Sequence, residues 1–324
     1  MKRLKIILPI LISCLFLYLA GRNLDFVEAA RVFCHINYFY LFIGFLATVV
    51  AFVIRVIRWQ IMLSPIKNIG IRRLTSSFLI GLMVNNILPA RIGELARAYV
   101  LGEKEKVSKS LVFATIILER TLDGLSVFAF LTCLLFIIPI PENIKRTGLL
   151  IAGAYLLILI FLFLLKTHKL WTIKKVERIS PRLSKIVESF SEGLSVLNSK
   201  RRFLLLSFYS LLSWLITGFS IHLLLLSIGI SLPLHIAYLV LVMTVIGVMI
   251  PAPGYIGPFH YFCILALQIA GQDKDVAAGF SILLYLVGFL PITIAGIVCL
   301  FLEGISVSNL FALNKHKTLN SNTK

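Results

Sequence analysis

Asn85-Asn86-Ile87-Leu88-Pro89-Ala90-Arg91-Ile92-Gly93-Glu94-Leu95-Ala96-Arg97 sets two amides, a proline, a glycine and three charges where an apolar segment should be completing a membrane crossing. Broken, charged backbone at membrane depth survives only when it is buried in protein or lines a wet cavity. Each intramembrane charge costs about 2.5–3.5 kcal/mol on insertion scales, so such residues mark function by default.

The surroundings establish that a membrane is the right frame. The chain is 59% apolar, with mean hydropathy +0.97, far above the balance of a soluble domain. Apolar runs near 20 residues mark spans at 5–20, 37–58, 110–139, 148–165, 203–228, 232–250 and 276–302. Two shorter pieces, 74–88 and 258–270, abut the broken stretches at 85–97 and 251–257. The expected fold is all-α: a polytopic helical membrane protein of about seven or eight spanning helices with two broken, re-entrant segments. It forms one membrane domain over 1–305, followed by a tail at 306–324 expected to be disordered. Met1-Lys2-Arg3-Leu4-Lys5 with the apolar 6–20 has the look of a signal peptide. No Ala-x-Ala site follows it, so it is read as the first span.

The net charge of +18 sits in loops between spans. That distribution fits the positive-inside rule and attraction to anionic lipid, not nucleic-acid binding. Basic residues precede the first span, follow the second (Arg55, Arg58, Lys67, Arg72, Arg73) and fill 166–202, which holds ten Lys/Arg. The segments 21–36, 139–147, 229–235 and 271–275 are nearly neutral. This places both termini in the cytoplasm of a cell-membrane protein. It also makes 74–101 a hairpin that enters and leaves on the basic side. In the second half, 232–250 comes in, breaks at Pro251-Ala252-Pro253-Gly254, and 258–270 climbs back out. Paired broken segments point to a transport site, although the halves share no convincing sequence repeat. Within 166–202, Ser180-Pro181 is a cap and first-turn pair. Leu183, Ile186, Val187, Phe190, Leu194 and Leu197 then recur at helical spacing. A basic amphipathic helix on the inner leaflet is expected there, with a partner dock as the rival.

Arg91, Glu94 and Arg97 share one face if 92–101 is helical. Arginine suits phosphate, and a helix start supplies free N–H groups for an anion; the rival is a self-neutralising ion pair. Glu119, Arg120 and Asp123 lie inside an apolar run. Two carboxylates four apart repel unless a cation intervenes or one is protonated. They can balance Arg91 or Arg97, seat a cationic group, relay protons, or lock helices. Asn85 and Asn86 either satisfy the open hairpin tip or bind head-group oxygens. Arg55 and Arg58 read as snorkelling anchors beside Trp59. Pro251, Pro253, Gly254 and Gly257 interrupt a helix and expose backbone groups. Tyr255 and His260 flank that break, with His260 read as a hydrogen-bonded structural residue and His222 as a packing residue. The five cysteines form no C-x-x-C pair and read as packing residues. A phosphate-binding Gly-rich loop, a His-Glu-x-x-His metal set and a credible Ser-His-Asp order are all missing. No cofactor is expected.

Arg58-Trp59, Leu88-Pro89-Ala90-Arg91-Ile92-Gly93-Glu94-Leu95-Ala96-Arg97, Glu119-Arg120-Thr121-Leu122-Asp123 and Pro251-Ala252-Pro253-Gly254-Tyr255-Ile256-Gly257 together resemble the lysylphosphatidylglycerol synthase transmembrane, flippase-like family, over about 5–305. The resemblance implies a lipid flippase module. The soluble aminoacyl-transferase domain of the full-length synthases has no counterpart in this sequence, so synthase activity is not expected. The family's last motif reads Pro-x-Pro-Gly-Gly-x-Gly with an acidic residue three positions on. Here Tyr255 replaces the second Gly and His260 takes the acidic position. That weakens a lysyl-lipid substrate and favours an anionic or neutral head group.

The expected function is translocation of a polar-headed lipid (phospholipid, glycolipid or isoprenoid-linked) between leaflets, by a protein that is not itself an enzyme. The expected substrate contacts are Asn85, Asn86, Arg91, Glu94, Arg97, Glu119, Arg120, Asp123, Pro253, Gly254, Tyr255, Gly257 and His260. The alternatives are an intramembrane group-transferase and a non-catalytic partner of a separate lipid synthase.

Overall fold

Side-chain caps fix where several of the helices start. Asn37 Oδ1 accepts from the backbone N–H of Phe39 (3.1 Å) and Tyr40 (3.4 Å) and opens α3, Tyr38–Leu63. Asp25 caps the short α2, Phe26–Arg31, in the same way. The computed structural model describes residues 4–22, 24–88, 91–137, 142–167, 176–177 and 180–304. Pro89, Ala90, the basic residues Lys174, Lys175 and Arg178, and the tail all lie outside the described residues.

Besides α2 and α3, the helices are α1 Leu4–Gly21, α4 Ile71–Ile87, α5 Gly93–Glu105, α6 Lys109–Ile137 and α7 Glu142–Thr167. They continue with α8 Pro181–Gly193, α9 Lys200–Ser227, α10 Leu234–Met249, α11 Pro258–Ile269 and α12 Lys274–Leu302. No strand occurs among the described residues. Four helices there, α3, α6, α9 and α12, are each long and apolar enough to cross a membrane. α7 has similar length and exposes Leu150, Leu157 and Phe161.

Contacts at the two ends order the layers. At one end, Lys274 Nζ reaches the Arg22 carbonyl at 2.5 Å and the Asn37 N–H donates to the Ser227 carbonyl at 2.7 Å. At the other, Lys67 and Arg73 both pair with Glu105 at 2.8 Å, and Lys104 pairs with Glu303. The first end is nearly neutral and the second basic. α4 and α5 form a hairpin whose open ends lie at the basic end; α10 and α11 form one whose open ends lie at the neutral end.

The two tips meet. A side-chain carbon at Gly254 would come within 3.0 Å of the Asn86 carbonyl. Each hairpin anchors a hydrophobic core, and α4–α5 packs a second, smaller one against Leu300 of α12. Trp59, Phe78, Leu101, Leu118 and Leu206 pack around α4–α5; Leu241, Phe259, Leu267 and Phe280 pack around α10–α11. α4 and α5 approach closely because position 93 is glycine: a methyl there would collide with the Gly81 carbonyl.

One expectation is sharpened here and one corrected. α8 packs against α6. Ser180 caps it as expected, Gly193 abuts the Leu111 carbonyl, Ser110 Oγ donates to the Ile186 carbonyl and Leu194 is fully buried. Only Leu183 and Ile186 turn outward, about half exposed. Packing on α6 uses the rest of its apolar face. Of the cysteines, only Cys263 is buried; Cys14, Cys34 and Cys133 are exposed and Cys299 is intermediate.

Candidate functional site

Glu119 and Asp123 sit one turn apart on α6, and cations do intervene between them. Arg58 from α3, with no exposed surface, donates to Asp123 Oδ1 at 2.5 Å and Oδ2 at 3.2 Å, and to Ser210 Oγ. Its second nitrogen lies 3.5 Å from Glu119. Arg97 from α5 grips Glu119 with two parallel bonds of 3.1 and 2.8 Å. Its guanidinium is sandwiched between Trp59 (3.5 Å to the ring centre) and Phe78 (3.8 Å). Arg120 reaches Glu119, Asp123 at 3.2 Å and Glu94 at 3.9 Å. Planar forks matched to carboxylates and stacked on rings suit such a desolvated place. The network joins α3, α5, α6 and α9.

Beside the network lies a cavity of about 290 Å³. Arg55, Arg91, Glu94, Arg120 and Asp123 supply its charges; Asn85, Asn86, Thr217 and Ser220 add polar groups. Leu241, Val245, Val248, Leu284 and Val287 make an apolar wall. Among the described residues, neither Arg55 nor Arg91 has a carboxylate within ion-pair distance. Arg55 donates to Thr217 Oγ1 at 3.1 Å and lies 4.9 Å from the centre of the Trp214 ring. Trp214 in turn donates to Asp123 at 3.1 Å.

The structure divides the residues singled out in the sequence. Asn85, Asn86, Arg91, Glu94, Arg120, Asp123 and Tyr255 line the cavity. Arg97 and Glu119 are buried behind it, locked to each other. Arg91, Glu94 and Arg97 do not share a helical face: α5 begins at Gly93, and Arg91 precedes it at φ 53° in the left-handed region. The free N–H groups expected at the α5 start are also taken. Gly93 N–H donates to Asn85 Oδ1 at 2.7 Å, and those of Glu94 and Leu95 donate to Arg91 and Ile92 carbonyls. Asn86 Nδ2 donates to Thr293 Oγ1 (2.9 Å) and the Phe289 carbonyl (3.3 Å).

Pro253, Gly254 and Gly257 form the second break and His260 follows it on α11; none of the four lines the cavity. Gly254 (φ 59°) and Gly257 (φ 101°) turn the chain there, and Tyr255 adopts φ 59° where glycine would rest without strain. The Gly254 carbonyl accepts from Tyr285 Oη at 2.9 Å, and the Ile256 carbonyl from Ser13 Oγ at 2.6 Å. His260 Nδ1 is 3.1 Å from Ser281 Oγ, and His222 Nδ1 is buried without a hydrogen bond.

The snorkelling reading of Arg55 and Arg58 is overturned. Arg58 is fully buried and Arg55 faces the cavity, because α9 packs along α3 and closes their route outward. Their spacing of three on one helix was the available signal. Trp214 and Thr217 carried none.

The architecture defines a class: a polytopic helical membrane protein with two opposed broken hairpins around an internal charged cavity. The chain belongs to the family described as Lysylphosphatidylglycerol synthase TM region, whose pattern matches residues 6–296. It is similar to a UPF0104 membrane protein of Methanothermobacter thermautotrophicus, 26% identical over 291 residues, covering 81% of this chain and 86% of the relative. A UPF0104 membrane protein of Methanocaldococcus jannaschii is 24% identical over 314 residues, covering 90% and 93% respectively. A second from that organism is 26% identical over 228 residues, covering 68% and 94%. No solved structure matches the chain.

Proposed function

We propose that the protein moves a phosphate-bearing lipid between the leaflets of the cell membrane, with its basic end and both termini in the cytoplasm. One observation carries the reading: among the described residues, Arg55 and Arg91 face a cavity at the meeting of two broken hairpins without a carboxylate partner. Both side chains are only half-buried, yet a charge at membrane depth without a counter-charge is costly, and an anionic head group would supply one. The apolar wall would leave acyl chains in lipid, so only the polar group needs a path. Mass action or a gradient would supply the drive. The excess of guanidinium also disfavours a cationic, lysyl-bearing head group.

A group-transferase reading has less support. It would use Glu119 or Asp123 as acid or base, and each carboxylate already faces guanidinium groups from two helices or more.

Leaflet exchange of labelled phospholipids in proteoliposomes tests the proposal. Exchange of an anionic lipid above the protein-free rate is expected, falling at least about tenfold in Arg91→Gln, the scale on which a charge-assisted contact of about 1.5–3 kcal/mol acts. Folded protein that leaves every lipid at the protein-free rate would sink the idea.

A further inference from the structure

The charges around the cavity do not cancel, and the remainder defines the ligand more closely than "anionic". Five guanidiniums belong to the cavity and the network behind it: Arg55, Arg58, Arg91, Arg97 and Arg120. Three carboxylates oppose them: Glu94, Glu119 and Asp123. The remainder is two positive charges. These are not spread evenly, because Arg58, Arg97 and Arg120 are each held by one or more of the three carboxylates. The excess is therefore located on Arg55 and Arg91. Arg55 enters from α3 beside Trp214 and Thr217; Arg91 enters from the α4–α5 break.

We infer that the site selects a lipid whose head group carries two negative charges on terminal phosphate, a phosphomonoester or diphosphate, over a phosphodiester with one or a zwitterion with none. This rests on the lipid-transport reading and names its substrate class. A monoester phosphate has a second ionisation near pH 6 and carries about −1.5 to −2 at neutral pH. It also offers three terminal oxygens, enough for two guanidiniums to bind without competing. A diester has one charge and two free oxygens, so one of the two arginines would stay uncompensated. The selectivity thus depends on Arg55 and Arg91 together, and removal of either should erase it.

Binding of the detergent-solubilised full chain to phosphatidic acid and to phosphatidylglycerol of identical acyl chains tests this by native mass spectrometry. At pH 8, phosphatidic acid should bind at least about tenfold tighter, as expected for one further charge-assisted contact of about 1.5–3 kcal/mol. The preference should fall several-fold between pH 8 and pH 5, as the second phosphate proton is regained. In Arg55→Gln the two lipids should bind within about twofold of each other. The wild-type pH series needs no variant, so a folding defect in Arg55→Gln cannot hide the answer. Equal affinities in the wild type, or a preference that ignores pH and survives Arg55→Gln, would overturn the inference. Inorganic phosphate should compete only at millimolar levels; equal competition by the free ion would overturn the lipid assignment. Leaflet exchange separates the two claims. Discrimination without exchange would refute transport alone, and exchange without discrimination would refute this substrate class alone.

Discussion

In the α4–α5 hairpin the backbone released by the break is closed mainly by the hairpin's own residues; in the α10–α11 hairpin it is closed by neighbours. Asn85 caps Gly93 from within the first hairpin. The second borrows Ser13 from α1 and Tyr285 from α12. The first also carries Arg91, Glu94 and Arg97, whereas the second carries no charge between Leu234 and Ile269. Both obey one rule, that backbone polar groups away from water must be paired. The difference separates tasks: the charged hairpin contributes ionic groups to the cavity, and the uncharged one contributes shape and an apolar wall.

The comparison can be broken most severely at the ion network. Asp123→Ala strips Arg58 and Arg120 of a buried acceptor and should cost about 3–5 kcal/mol, read as loss of folded yield or a lowered thermal midpoint in detergent. A loss under about 1 kcal/mol would show that the network does not hold the first hairpin in place. Next comes Gly93→Ala, which drives a methyl into the Gly81 carbonyl and Asn85. About 1–3 kcal/mol is expected for such overpacking, and a well-folded variant of unchanged midpoint would contradict the close crossing. Ser13→Ala attacks the second hairpin from outside. It leaves the Ile256 carbonyl without its hydrogen-bond donor and should cost about 1–3 kcal/mol, with hydrogen exchange rising at 251–260 but not at 85–97. Equal rises at both tips would show that the two breaks are closed in the same way.

The smallest effect lies at the basic rim. The Lys67 ammonium bonded to Glu105, with Arg73 alongside, holds that carboxyl below its ordinary value of 4.5. Its lowered folded value means stabilisation above the unfolded value, lost as pH falls through the folded one. Glu105→Gln should remove this acid-side loss and cost under about 1 kcal/mol, since both cations are largely exposed. An unchanged acid limb of the thermal-midpoint profile would exclude that role.

Much of this was legible in the chain, and the exceptions share one cause. Helix identity follows from runs of apolar residues, and both breaks follow from proline and glycine in those runs. The charges of 91–123 stood out against an apolar background, so the candidate cavity was partly visible. Which arginine faces the cavity was not. Arg55 and Arg58 lie on the same helix, three apart, and only the packing of α9 against α3 sends one to Asp123 and the other to Trp214. Arg97 looked equivalent to Arg91, yet it turns to Trp59 and Phe78. The left-handed backbone at Arg91 sets the two in different directions.

The sequence by itself determined an all-helical membrane chain, its two broken segments and the excess of positive charge, because these depend on residue type and spacing along one strand of chain. Only the tertiary structure decided which of the arginines near the breaks stay without a carboxylate among the described residues. Pairing among Arg58, Arg97, Arg120 and three carboxylates is settled by which helices touch, and what those contacts leave unpaired is Arg55 and Arg91.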